Sequence, residues 1–243
     1  MGSVADVYRQ TRKRPDLVWN TYVARPVAAV VVTALRGTRV TPNQITIAAV
    51  FVAVASAALL VFVPGYVGLF AAVVVFELSY VLDCADGMLA RCRETASTGG
   101  HLLDFLMDEL KAFVLLGAAA VRLFRFGTPW FGPRPGNPAL LMLGIAGLVC
   151  LASGIALTTF QRRPEIAGKP ADSPNVVAKR RSLVGRTVGL VERVAKLLIH
   201  YPSYILFVGL SGHLELYFYP YIAVNALYAA KAFTSVALRF GRS

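Results

Sequence analysis

Residues 82–110 read LDCADGMLARCRETASTGGHLLDFLMDEL, and they join two long apolar runs. Four aspartates, Asp83, Asp86, Asp104 and Asp108, fall inside this stretch. A carboxylate taken away from water is costly, so four of them beside membrane-like sequence need a compensating purpose. Residues three or four apart share a helix face. Asp83, Asp86, Gly87 and Ala90 therefore line one face before the polar break Arg91–Thr98, and Gly100, Asp104 and Asp108 line one face after it. A connection this short makes the two helices antiparallel neighbours, so the acidic faces converge. Four converging carboxylates repel one another, and a divalent cation relieves that repulsion. Hard oxygen ligands suit magnesium, manganese or calcium. Such a cation in turn suits a diphosphate. Gly87, Ala90 and Gly100 leave room for a ligand beside the backbone; their alternative use is close helix packing, common between membrane helices.

The surroundings support a membrane setting. Of 243 residues, 56% are hydrophobic and 16% charged, against about 25% charged in soluble domains. Mean hydropathy is +0.60. The net charge of +12 does not form a nucleic-acid-reading pattern, because the basic residues gather at the ends of apolar segments. Cys84, Cys92 and Cys150 show neither zinc spacing nor a disulfide framework. The polar, basic N-terminus lacks the apolar core and cleavage site of a signal peptide.

Since a spanning helix takes about 20 mostly apolar residues, the sequence predicts six spans: 45–63, 66–90, 100–123, 139–161, 199–212 and 215–238. Residues 16–40 hold an apolar segment too short to cross, read as an interfacial helix with Trp19 and Tyr22 near the headgroups. Residues 182–198 alternate apolar and basic positions like a second surface-lying helix. The expected architecture is an all-α integral membrane protein: a cytoplasmic N-terminus with an interfacial helix over residues 1–40, then one six-helix domain over 41–243. Lysines and arginines sort unevenly between the two faces of this arrangement. Twenty fall on the side of both termini and the aspartates, and three, Arg122, Arg125 and Arg134, on the other. That asymmetry puts both termini and the acidic site on the cytoplasmic side.

The acidic stretch also carries a resemblance. Asp83-x2-Asp86-Gly87-x2-Ala90-Arg91-x8-Gly100-x3-Asp104-x3-Asp108 matches the signature of the CDP-alcohol phosphotransferase family at all eight of its positions. Thr41-Pro42-Asn43-Gln44-Ile45-Thr46, opening the first span, is similar to the family's pattern there. The resemblance implies transfer of a substituted phosphate from a CDP-alcohol, commonly CDP-diacylglycerol, to an acceptor alcohol with release of CMP, as in phospholipid biosynthesis. It implies one or two Mg²⁺ or Mn²⁺ ions on Asp83, Asp86, Asp104 and Asp108, with Asp108 also the base that takes the acceptor's proton. Gly87, Ala90, Arg91 and Gly100 would shape the nucleotide pocket, with Asn43 approaching from the first span. Membrane lipids and a second copy of the chain, in a homodimer, are the implied partners, and nucleic acid is not one. The motif leaves the acceptor alcohol and its binding residues open.

Three rival readings frame this one. The stretch Trp19–Pro26 resembles members that use CDP-inositol, which makes a polar donor the nearest alternative. An intramembrane prenyltransferase also holds magnesium and diphosphate on aspartates, but lacks the Gly87, Ala90, Arg91 and Gly100 positions. A cation transporter predicts broken helices or repeated halves, and the sequence shows neither.

Overall fold

The computed structural model describes residues 3–12, 16–130, 133–163 and 198–241; residues 182–197 of the expected surface helix lie outside them. The described chain is helical, with no strand among the described residues. Helix α1 (Val4–Thr11) is closed by a capping box in which Ser3 and Asp6 satisfy each other's backbone N–H groups. Helix α2 (Arg25–Leu35) follows a π-turn at Asn20–Ala24 and packs on the helix Gly65–Cys92 (α4) through Ala28, Ala29 and Val32. Val27 and Val30 on its other side are exposed, as is Tyr22 in the preceding turn.

Four helices are long and apolar enough to cross a membrane: α3 (Pro42–Phe62), α4 (Gly65–Cys92), α6 (Pro138–Gln161) and α8 (Glu215–Phe240). Helix α5 (Thr98–Phe126) matches them in length, but Asp104, Asp108, Glu109, Lys111, Arg122 and Arg125 dilute its apolar character. Segment 199–212, predicted as one span, is broken. His200 precedes a 3₁₀ turn at Tyr201–Ser203, and helix α7 (Ile205–Ser211) has only seven residues, roughly 10 Å of rise. Pro202 removes a backbone donor within that turn, and the backbone leaves helical geometry on either side of it, at His200 (φ −85°, ψ 61°) and Tyr204 (φ −133°, ψ −8°). Gly212, at φ 78°, then ends α7 in a left-handed conformation.

Packing follows the sequence of turns. Helix α3 lies against α4 and α5, and α6 against α5 and α8. Small residues bring the backbones close. A methyl group at Gly144 would stand 2.3 Å from the Ala120 Cβ, and one at Gly147 would stand 2.7 Å from Ile222. Hydroxyls tie α3 to α4: Ser56 donates to the Ala72 carbonyl and Ser79 to the Ala49 carbonyl, each at 2.7 Å.

Two buried or half-buried arginines close the helix ends. At one end Arg122 donates to the carbonyls of Leu60, Val63 and Gly65 at 2.6–2.9 Å. At the other, Arg93 donates to those of Leu35, Thr38 and Val40 at 2.5–3.0 Å. Leu35 and Leu60 carry last-turn carbonyls of α2 and α3, which lack intrahelical partners, and the other acceptors sit in the connections that follow, up to the first residue of α4. Arg93 thereby fixes the α2–α3 loop beside the acidic end of α4, where the site is built.

Candidate active site

The α4–α5 turn is short and locally determined. Ser97 caps α5 by accepting from the Gly100 N–H at 3.1 Å, which starts the helix so that Asp104 and Asp108 face α4. Across the turn, α3 opens with a second capping box. Gln44 N–H donates to Thr41 Oγ1 at 3.3 Å, Thr41 N–H donates to Gln44 Oε1 at 2.9 Å, and Pro42 supplies the first helical position. The TPNQ sequence is thus a helix start that presents Asn43 and Thr46 to the acidic face.

Carboxylate oxygens of Asp83, Asp104 and Asp108 lie within 4.8 Å of one another. That separation fits one cation: ligand oxygens at 2.0–2.6 Å from a hard divalent ion stand up to about 4–5 Å apart across it. Asp86 does not join the trio. It is buried, and its Oδ2 accepts a hydrogen bond from the Thr46 hydroxyl. Buried Lys111 ion-pairs with both Asp83 and Asp108.

A cavity of about 680 Å³ opens over this floor. Asp83, Asp86 and Asp104 line it, and so do all five residues expected to shape a nucleotide pocket: Asn43, Gly87, Ala90, Arg91 and Gly100. The two glycines are not packing positions. A methyl group at Gly87 would meet only the Arg91 guanidinium, at 3.5 Å, and one at Gly100 would meet the Ser97 hydroxyl at 3.3 Å and the Asn43 amide oxygen at 3.7 Å. No backbone of a neighbouring helix stands within 4 Å of either. Arg91 is steadied from outside, its Nε donating to the Thr11 carbonyl at 3.1 Å.

Asp108 faces elsewhere. It lines a second cavity of about 370 Å³ with Lys111, Tyr80, Glu109, His200 and Asn225. Lys111 and the Asp83–Asp108 pair thus stand where the two cavities adjoin. Tyr80 bridges at this boundary, donating to Asn20 Oδ1 at 2.6 Å and lying 3.1 Å from His200 Nε2. Thr46, Arg25 and His200 did not stand out in the sequence as site residues. Thr46 sits in the α3 opening quoted above, and Arg25 is a charge isolated in an apolar segment, which is the one signal each offered.

The comparisons with known proteins agree with the motif. The model of the CDP-alcohol phosphatidyltransferase family matches residues 39–191, which takes in α3, the acidic faces of α4 and α5, and all of α6. No curated protein sequence matches the chain significantly. Members of the family generally use divalent metal ions, and the aspartate trio is a fitting site for one. With more than half of its length matched, the chain belongs to the CDP-alcohol phosphatidyltransferase family, enzymes that transfer substituted phosphate groups in membranes.

Proposed function

We propose that the protein transfers the substituted phosphate of a CDP-alcohol, with CDP-diacylglycerol the first candidate, to an acceptor alcohol and releases CMP. The observation that carries this reading is the aspartate trio at the junction of two cavities, with Asp108 opening on the second. Asp83, Asp104 and Asp108 would hold Mg²⁺ or Mn²⁺, and Asp86, oriented by Thr46, completes the negative wall of the donor cavity. A bound divalent cation offsets charge on the attacked phosphorus and on the departing CMP phosphate.

The chain's own residues do the rest. Gly87 and Gly100 let the nucleotide approach the helix backbones, with Asn43, Ala90 and Arg91 around it. The acceptor enters through the second cavity. Its hydroxyl oxygen forms the new bond to phosphorus as the bond from phosphorus to the CMP oxygen breaks. Asp108 takes the hydroxyl proton. Holding donor and acceptor in line supplies much of the rate.

In this reading the chain has six membrane-crossing elements. They are the four apolar helices, α5, and the broken segment 199–212. The exposed apolar face of Tyr22, Val27 and Val30 lies in the interface. The twenty-to-three distribution of basic residues supports a cytoplasmic active site. Family resemblance is the ground for a homodimer.

The test is CMP release by purified protein supplied with CDP-diacylglycerol, Mg²⁺ and a panel of acceptor alcohols. Release with one acceptor, abolished by chelation and by Asp108→Asn, is expected. Release only from a CDP-linked polar alcohol would replace the lipid donor by the polar one. Metal binding without nucleotide binding would favour an ion pathway instead.

A further inference from the structure

The donor cavity is lined by a guanidinium that the family motif does not contain. Arg25 opens α2, is buried, and lines the same cavity as Asp83, Asp86 and Asp104. Its Nε donates to Asp16 Oδ2, an ion pair in which both side chains are 9% exposed. The other oxygen of that carboxylate is already taken: Asp16 Oδ1 accepts from the Leu17 N–H at 2.9 Å and from Asn20 Nδ2 at 3.1 Å. The contact between Asp16 and Arg25 is made by Nε. The NH1 group of Arg25 is buried and has no hydrogen-bond partner among the described residues.

A charged donor buried without an acceptor is expensive. Five N–H groups on a rigid plane let one arginine hold a carboxylate on one edge and an anion on another. None of the carboxylates on the cavity wall, Asp83, Asp86 and Asp104, is hydrogen-bonded to Arg25 NH1; Asp83 is paired with Lys111, and Asp86 takes the Thr46 hydroxyl. A cation held by the aspartates does not accept a hydrogen bond. An anionic oxygen brought by the ligand is the acceptor that suits a guanidinium lining this cavity.

We infer that the Arg25 guanidinium, which lines the cavity, turns its unpartnered edge to a phosphate oxygen of the nucleotide diphosphate when the donor binds, so that Arg25 is a donor-binding residue held by Asp16. The inference rests on the CDP-alcohol reading above. It adds a cationic contact from the N-terminal segment to a site otherwise built from α3, α4 and α5. The π-turn at Asn20–Ala24 belongs to the same construction: Asn20 holds Asp16 with its amide N–H and accepts from the Tyr80 hydroxyl with its oxygen. Such turns often mark functional positions.

The experiment is calorimetric titration of CDP, with Mg²⁺, into detergent-purified wild type, Arg25→Gln and Arg25→Lys, alongside their unfolding midpoints without nucleotide. Arg25→Lys keeps a cation for Asp16 but lacks a second planar edge, so it guards against failure of the Gln variant to fold. The expected result is CDP affinity lower by about tenfold or more in both variants, with the Arg25→Lys midpoint close to wild type. Wild-type affinity in Arg25→Lys would overturn the assignment. So would a loss of affinity matched by an equal loss of stability, which would make Arg25 part of the scaffold. If wild type itself does not bind CDP, the donor reading has failed, and the inference with it.

Discussion

Lys111 Nζ lies 2.7 Å from Asp108 Oδ1, three residues back along α5, and ion-pairs Asp83 of α4 at the same time. Lys111 is 3% exposed, so this is a buried cation shared by two of the three clustered carboxylates. Removing one partner of a buried pair strands the other, at a cost of about 3–5 kcal/mol. Lys111→Met is therefore expected to lower stability by about 3 kcal/mol, and adding Asp83→Asn should recover part of it. Denaturant unfolding of the two single variants and the double variant in detergent gives the coupling. Strict additivity would mean that Lys111 holds the helices by packing alone.

Thr46 makes a second prediction. Its hydroxyl donates to Asp86 across α3 and α4, and both residues are buried. Partners that orient an active-site carboxylate typically contribute 10–100-fold. Thr46→Val conserves shape and leaves Asp86 one donor short. Activity should fall by about 10–100-fold, while Thr46→Ser retains most of it. Equal activity in Val and Ser variants would remove the hydrogen bond from the account.

The glycines divide into two kinds, and alanine substitution distinguishes them. At Gly144, an added methyl group collides with Ala120 at 2.3 Å, and at Gly209 one meets the Val73 side chain at 2.9 Å. At Gly87 and Gly100 the nearest neighbours are side-chain polar atoms at 3.3–3.7 Å, bordering the donor cavity. Gly144→Ala should lower the unfolding midpoint and leave turnover per folded molecule unchanged. Gly87→Ala and Gly100→Ala should keep the midpoint and raise the KM for the CDP-alcohol. A fall in midpoint at Gly87 as large as at Gly144 would return Gly87 to helix packing.

Much of this was legible in one dimension because the rules involved are local. Hydropathy with Pro and Gly turns predicted a helix at 139–161 where α6 runs Pro138–Gln161, and one at 66–90 where α4 runs Gly65–Cys92. Helical periodicity put Asp104 and Asp108 on one face, and the short α4–α5 connection turned that face toward Asp83. The span predicted at 199–212 extended the apolar run Ile205–Leu210 back across His200–Tyr204, which is not apolar and is where the chain breaks. Periodicity placed Asp86 on one face with Asp83; its hydrogen bond with Thr46 depends on how α3 packs, 40 residues away. The Lys111–Asp108 pair follows from three-residue spacing; the Lys111–Asp83 pair needs the folded turn. Arg25 was least legible, because the role proposed for it depends on its folded contact with Asp16 and on an unpartnered NH1 rather than on any pattern around it.

Asp16 supplies a pH test of that arrangement. Burial alone would raise its pKa, but hydrogen bonds from Asn20 and the Leu17 N–H, with the Arg25 guanidinium, outweigh burial and hold it below the usual carboxylate value. A carboxylate whose folded pKa lies below its unfolded one stabilises the fold above the unfolded pKa. That stability is lost as pH falls through the folded pKa, because the unfolded state then takes up the proton first. The unfolded value is about 3.9, so the loss from Asp16 begins near pH 4 and grows on further acidification. Asp16→Asn removes this contribution at neutral pH and flattens the acid limb. The check is the unfolding midpoint of both proteins from pH 7 down to the acid limit of the detergent-solubilised enzyme. Their difference should be largest at neutral pH and shrink below about pH 4. A difference constant across that window would mean that the Asp16 carboxylate is not charged against Arg25 in the folded protein, and the anchoring of Arg25 would need another cause.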